Sequence, residues 1–271
     1  MPPVRDNDHS ALALFAAELQ AARARAGMSR DELAARINYS PSLVGMVESM
    51  RRVPRLDFAR RCDDALATTG TFARLHEHLR TAPFPSWFRP FVQHEAEANA
   101  LHWFEQTLVP GLLQTADYAR ALLSTRVGAS EEDVDQAVVA RLERQAILER
   151  DDPPLLWVIM DEAVLRRPVG GADVMRVQVE HLAEMAGRTN VVIQVIPYSV
   201  GAHEGVNGAF VIADFASAPS IVYLETALTG LVVERPEDVT SVRLTYDTLR
   251  SEALPRAASL DLLREVAKTW T

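Results

Sequence analysis

Residues Ser29 to Pro54 read SRDELAARINYSPSLVGMVESMRRVP. Ser29 followed by Glu32 is a capping-box spacing, and Leu33, Ala34 and Ile37 give the helix behind it one apolar side. Asn38-Tyr39 ends that pattern, since Asn accepts the left-handed backbone that terminates helices. Ser40 then opens a second helix with Pro41 at its first position, where the missing N–H costs nothing. Val44 and Val47 point this second helix inward. Ser42, Gly45, Met46 and Ser49 fall on the opposite side, a slender surface of the kind that enters a major groove. The run Arg51-Arg52-Val53-Pro54-Arg55 follows at once and suits phosphate contacts.

Flanking residues place this pair inside a larger helical unit. Leu12, Phe15, Leu19 and Ala22 recur at helical spacing up to Gly27. Leu56–Leu66 and Phe72–Leu79 predict two more helices, five in all. The whole stretch resembles the lambda-repressor-like (xenobiotic-response-element type) DNA-binding domain. The residues that carry the likeness are Leu19, Arg23, Gly27-Met28-Ser29, Glu32-Leu33-Ala34, Ser40-Pro41-Ser42, Val44, Val47-Glu48, Arg51 to Pro54 and Leu66 to Gly70. Met50 departs from that pattern: the family usually carries glycine there, which predicts a less tight turn.

The resemblance implies a reading helix with Ser40, Pro41, Ser42, Gly45 and Met46, and a groove-edge contact from Arg30. Arg23, Arg51, Arg52 and Arg55 are the phosphate candidates. That set offers few base-reading groups, so two-fold half-sites and DNA shape are expected to supply specificity, with the protein as a dimer.

Charge agrees once the chain is divided. The net charge is −9 over 271 residues, yet residues 1–80 hold 12 Arg against 10 Asp plus Glu, leaving +2 there and −11 on the remainder. No apolar run approaches the ~20 residues that span a bilayer, and the opening MPPVRDNDHS lacks a signal-peptide core. The single cysteine, Cys62, excludes an internal disulfide framework and fits a reducing cytoplasm. It reads as a small buried residue, not a nucleophile. The expected location is cytoplasmic, at the nucleoid when DNA is bound.

Ala82-Pro83-Phe84-Pro85-Ser86 breaks helix and sets the boundary between a domain at 10–81 and a second at 86–271. In the second, residues 91–105 predict a helix carrying His94, Glu95, Glu97 and His102 on a polar face. Two histidines eight apart on one straight helix do not share an ion, so no metal is expected. Pro110-Gly111 makes a turn, Thr115 caps a helix, and Ser130 caps a long one through 149. The runs 155–160, 191–196, 210–215, 221–224 and 230–234 predict strands. Helices are expected between them and at 236–252 and 257–269, the last capped by Ser259. The fold class is therefore an all-α lambda-repressor-like five-helix domain followed by an α/β (mixed α+β) domain.

This second part is similar to the C-terminal domain of the WhiJ-type, antitoxin-like regulators of actinobacteria. The matching stretches are Val109 to Thr115, Tyr118 to Arg120, Arg141 to Gln145, Asp161 to Arg166, Val195 to Pro197, Gly208 with Phe210, and Val222 to Glu225. The resemblance implies a transcription regulator, a repressor on this reading, with a small companion protein often encoded nearby. A small-molecule effector is the alternative occupant, as is an antitoxin-like module in which DNA binding is secondary. Trp103, Gln114, Tyr118, Arg141, Arg144, Glu162, His203 and Glu225 are the candidate pocket residues. No phosphate loop, nucleophile elbow, metal spacing or Cys/His set accompanies them, so neither catalysis nor a cofactor is expected.

Overall fold

The computed structural model describes residues 9–50, 52, 54–80, 84, 85, 87–226 and 228–271. Arg51 and Val53, together with 82, 83 and 86 of the expected boundary, lie outside the described residues. The chain divides into two compact units, Met1–Ser86 and Trp87–Thr271.

The described residues of the first unit form helices joined by turns: α1 (His9–Arg25), α2 (Arg30–Ile37), α3 (Pro41–Glu48), α4 (Leu56–Leu66) and α5 (Thr71–Arg80). Its core gathers Phe15 and Leu19 from α1, Leu33 and Ile37 from α2, Val44 and Val47 from α3, Phe58 and Cys62 from α4, and Phe72 from α5. α2 to α5, of 8 to 11 residues, are too short to be stable alone, so burial of these apolar stripes holds the set together. Buried Asp63 fixes the last turn: its carboxylate accepts from the Phe72 amide at 2.9 Å, the Ala73 amide at 2.8 Å and the Thr68 hydroxyl at 2.6 Å. Burial and the neighbouring Asp63 push the Cys62 thiol up to about 12, which makes it inert as a nucleophile.

The second unit carries α6 (Arg89–Glu97), β1 (Ala100–Glu105), α7 (Ala116–Leu123), α8 (Glu131–Gln145), β2 (Leu155–Asp161), α9 (Glu162–Arg166) and α10 (Ala172–Met185). Then follow β3 (Val191–Ile196), β4 (Phe210–Asp214), β5 (Ile221–Glu225), β6 (Gly230–Val233), α11 (Pro236–Glu252) and α12 (Arg256–Thr269). The strands form one sheet in the order β3-β2-β1-β4-β5-β6. β1, β2 and β3 run parallel, with helices in their crossovers, and β4 to β6 continue as an antiparallel meander. Phe104, Ile159, Ile196, Phe210, Ile212 and Val222 form one buried face under Tyr246 and Leu249 of α11. Leu101, Trp103, Val158, Ile193, Val211 and Tyr223 alternate onto the other face and are also buried.

The structure corrects the helix expected over 91–105. α6 stops at Glu97, and β1 begins at Ala100. β1 lies in the middle of the sheet, bonded to β2 on one side and β4 on the other, with both faces covered. A strand in that position loses the in–out alternation that makes strands legible. His94 and His102 therefore sit on different elements, and His102 Nε2 pairs with Asp214 Oδ2 at 3.1 Å. Glu95, expected on a polar face, has no exposure at all.

Ser259 is a second correction. α12 starts at Arg256, so Ser259 lies within it and not at its cap. Its hydroxyl accepts from the Val195 amide at 3.1 Å and donates to the Leu254 carbonyl at 3.1 Å, while the Leu254 amide bonds Val195 O at 2.9 Å. These contacts occupy both backbone groups of Val195 on the outer edge of β3.

Candidate nucleic-acid interface and the polar group of the second unit

The two helices of the opening stretch meet as their caps dictate. Ser29 and Glu32 form the capping box, and Asn38 takes the left-handed conformation at φ 59°. Ser40 Oγ accepts from the Leu43 amide at 3.2 Å, with Pro41 heading α3. Val44 and Val47 are fully buried, which turns Ser42 and Ser49 to solvent and leaves Gly45 and Met46 partly exposed. Pro41 and Ser40 are exposed at the head of this helix. The Ser49 hydroxyl is turned back to the Met46 carbonyl at 3.3 Å. Met50 adopts φ 59°, so it takes up the left-handed turn that glycine usually makes, and the expectation of a looser turn is corrected.

Glu48, whose side chain has 0% exposure, fixes the far end of α3. Arg23 Nε reaches its Oε1 at 2.6 Å and Arg30 Nε its Oε2 at 2.5 Å. Gln20 donates to the Glu48 carbonyl at 2.8 Å. One carboxylate thus ties α3 to α1 and to the head of α2, and two arginines neutralise it in a setting where an unpaired charge is expensive. The Arg23 side chain is 18% exposed and also donates to Met28 O at 2.8 Å, so most of its donors face inward. Arg30 remains 53% exposed. Arg52 and Arg55 are exposed, Arg55 at the N-cap of α4. Arg51 lies outside the described residues. Sequence reasoning noticed Glu48 only within a family pattern and missed Gln20. It also missed Asp57, which accepts from Tyr39 Oη at 2.9 Å and pairs with Arg61 at 2.9 Å, tying the turn to α4.

In the second unit the Val109–Thr115 stretch is a turn held by side chains. Gln114 Nε2 donates to Val109 O at 2.7 Å, and the Val109 amide donates to Tyr118 Oη at 3.2 Å. Gln145 donates to Gly111 O and Gln114 O at 3.0 and 2.8 Å. Gln178, fully buried, accepts from the Thr115 amide at 2.7 Å and donates to Leu113 O at 2.8 Å. Gly111 is required by close approach: a Cβ there would lie 2.8 Å from Arg144 Nη2.

Around this turn the structure assembles a polar group. Arg144 Nε lies 2.8 Å from Glu95 Oε2, both side chains almost wholly buried, and its guanidinium sits 4.9 Å from the Phe88 ring centroid. Burial pushes Glu95 up, with Arg144 pulling the other way. Arg141 Nη1 donates to Gln114 Oε1 at 2.6 Å. Burial and the like charges of Arg144 and Arg126 bring Arg141 down to about 10. Glu105, at the carboxyl end of β1, is pushed up to about 7, chiefly by burial; a Trp103 hydrogen bond opposes this and Glu225 adds to it. Glu225, at the carboxyl end of β5, is also raised by burial against the pull of Arg141 and Arg144. Tyr223 stacks on Phe91 at 4.2 Å, and its hydroxyl is pushed up by burial and by Glu225.

Trp103, Gln114, Tyr118, Arg141, Arg144 and Glu225 are brought together around this turn and the ends of β1 and β5. Glu162 and His203 are not. Glu162 accepts from the Tyr198 amide at 2.9 Å and from Arg166 at 2.6 Å, and His203 Nε2 meets Asp161 Oδ2 at 2.9 Å. They sit at the carboxyl end of β2 and its facing loop, with the His203 ring against Phe104 on the α11 face. Glu95, Glu105 and Tyr223 belong to the group and were missed. The sequence signal for Glu105 and Tyr223 is a carboxylate or a tyrosine beside or inside an apolar run; Glu95 carries none.

A helical unit with a capped helix-turn-helix, followed by a unit of mixed sheet and helices with a buried ionic group, defines the class: a helix-turn-helix module joined to a second, α/β module. Residues 14–75 match the helix-turn-helix domain family, and residues 88–265 match a domain of unknown function, DUF5753. The second match spans well over half of the chain, which belongs to that family. No curated protein and no solved structure matches it. The helix-turn-helix match points to a DNA-binding regulator of transcription. Among the described residues no helix is long and apolar enough to cross a membrane.

Proposed function

We propose that the protein is a dimeric, sequence-specific repressor of the WhiJ type whose second unit binds an effector at the polar group between β1, β5 and α8. The observation that carries the DNA-binding part is the set of α3 by Glu48, which leaves Ser42, Gly45 and Met46 outward with Arg30 at the edge. Arg52 and Arg55 are positioned by sequence beside that face and contact phosphates. Each phosphate contact contributes a slope of about −0.9 to the dependence of log K on log salt for duplex DNA. Arg52→Ala with Arg55→Ala is expected to flatten that slope by about 1.8. An unchanged slope refutes the assignment. Sedimentation on and off a palindromic operator tests the dimer, and a monomer in both states refutes it.

A second reading has the same unit docking a small companion protein. Val139 and Leu142, exposed on α8 beside Arg141, favour it. Co-purification of a small protein that Leu142→Asp abolishes supports this reading, and co-purification indifferent to Leu142→Asp counts against it.

A further inference from the structure

Three arginines converge on the carboxyl ends of β1 and β5. Arg144 is held by Glu95. Arg141 gives one Nη to Gln114, but its Nε is buried with no hydrogen-bond partner among the described residues. Arg126, exposed, lies within electrostatic reach of both Arg141 and Glu225. Opposite them stands Glu225, and behind it Glu105, which interacts with Glu225 and whose Oε2 is likewise buried and without a hydrogen-bond partner among the described residues. A buried donor and a buried carboxyl oxygen without partners each cost about 1–3 kcal/mol, more if charged. Native proteins keep such groups where something else satisfies them.

The charges indicate what that something is. Arginine does not shed its proton near neutral pH, so the positive side of the group is fixed. Glu105 can take a proton and become neutral, so the negative side is adjustable. With Glu105 neutral, Arg126, Arg141 and Arg144 face only Glu95 and Glu225, and one negative charge is missing. A cation would add to three arginines. An anion would pair with them and accept a hydrogen bond from the Glu105 acid. The donors on offer are one free guanidinium edge, one carboxylic acid and the exposed Arg126, which suits a planar, singly charged group. Trp103, Tyr118 and Tyr223 are the buried aromatic neighbours of the group. The location also agrees with chemistry: β1 lies between parallel β2 and antiparallel β4, so its carboxyl end is the point where the sheet order reverses.

Resting on the reading of the second unit as an effector module, we propose that this group binds a small organic carboxylate, clasped by Arg141 and Arg126 with Glu105 as the hydrogen-bond donor. The groups facing Glu105 are Glu225 from β5, Tyr118 from α7, Trp103 on its own strand and the Thr107 and Leu108 amides, which donate to its carboxyl group; Arg141 and Arg144 of α8 and Arg126 face Glu225. Glu105 must be protonated to donate, so binding is stronger on the acid side of its titration near 7.

The test is tryptophan fluorescence of the full chain, since Trp103 bonds Glu105 directly, titrated with acetate and benzoate. Benzamide and inorganic phosphate are the comparators, at pH 6 and pH 8. Saturable binding of a carboxylate is expected, about tenfold weaker at pH 8, the factor by which a group titrating near 7 changes its protonated fraction. Arg141→Gln should weaken it at least tenfold. Arg126→Gln, at an exposed position that folding does not need, should weaken it severalfold. Glu105→Gln should keep binding and remove its pH dependence. Failure of both carboxylates to saturate, equal binding of benzamide, tighter binding of phosphate, or indifference to Arg126→Gln overturns the proposal. Footprinting of the same preparation separates the two readings. An operator footprint without carboxylate binding sinks this proposal alone, whereas carboxylate binding without any footprint sinks the regulator.

Discussion

Glu105→Gln should change how the stability of the second unit depends on pH, and the size follows from the environment of β1. Glu105 titrates near 7 in the folded chain against 4.5 for a free glutamate. Between those values the unfolded side chain has lost its proton and the folded one keeps it, so the folded state binds more protons. Stability from this group is therefore greatest below 4.5, falls as pH rises toward 7, and is level above that. The gap of 2.5 units at about 1.36 kcal/mol each gives roughly 3 kcal/mol. Glutamine has no proton to lose. The variant should match the native protein near pH 4.5 and exceed it by up to about 3 kcal/mol at pH 8. His181, lowered by burial, acts in the opposite sense below 6.5, but it is present in both proteins and cancels in the difference. Urea unfolding followed by tryptophan fluorescence reads the right unit, because Trp87, Trp103, Trp157 and Trp270 all lie in it. Parallel pH profiles for the two proteins would refute the reasoning.

Met50→Gly should stabilise the first unit by about 1 kcal/mol, because the left-handed turn strains a side-chain-bearing residue and Met50 is exposed. Amide exchange in α2 and α3 should slow about fivefold, and unchanged or faster exchange contradicts it. Glu48→Gln keeps the shape but removes the charge between Arg23 and Arg30, at a cost of about 2 kcal/mol. Faster exchange at the α3 amides, together with weaker operator binding, checks it. Gly205→Ala would put a Cβ 2.1 Å from Phe104 Cζ in the core, so it should cost about 2–3 kcal/mol and lower the urea midpoint of the second unit.

The first unit was legible because its information is local. Ser29 with Glu32, Asn38, and Ser40 with Pro41 each announce a helix end within four residues, and the apolar stripes lie between them. The strands β2 to β6 were legible as apolar runs. β1 was not, since a central strand carrying His102 and Glu105 shows neither a clean run nor alternation. The polar group was half legible. Arg141 and Arg144 are one turn apart and announce themselves, but Glu95, Glu105, Tyr223 and Glu225 meet them only through the order of strands in the sheet. Gly111 holds a trace of that meeting. Its missing side chain makes room for Arg144, though alone it reads as half of a Pro-Gly turn. The division of the chain into a DNA-binding and an effector domain is a proposal resting on these two differently written halves.

The contacts on the outer edge of β3 bear on how copies of this protein can join. A sheet with two open rims can add strands without end, which is the route to fibres. Here Ser259 and Leu254 occupy Val195 on one rim, and β6 forms the other. Any association along that side uses up the open rim of both molecules at once. A pair made that way is related by a two-fold axis, while the residues that hinder the opposite rim, Leu254 and Ser259, lie just before α12 and in its first turn.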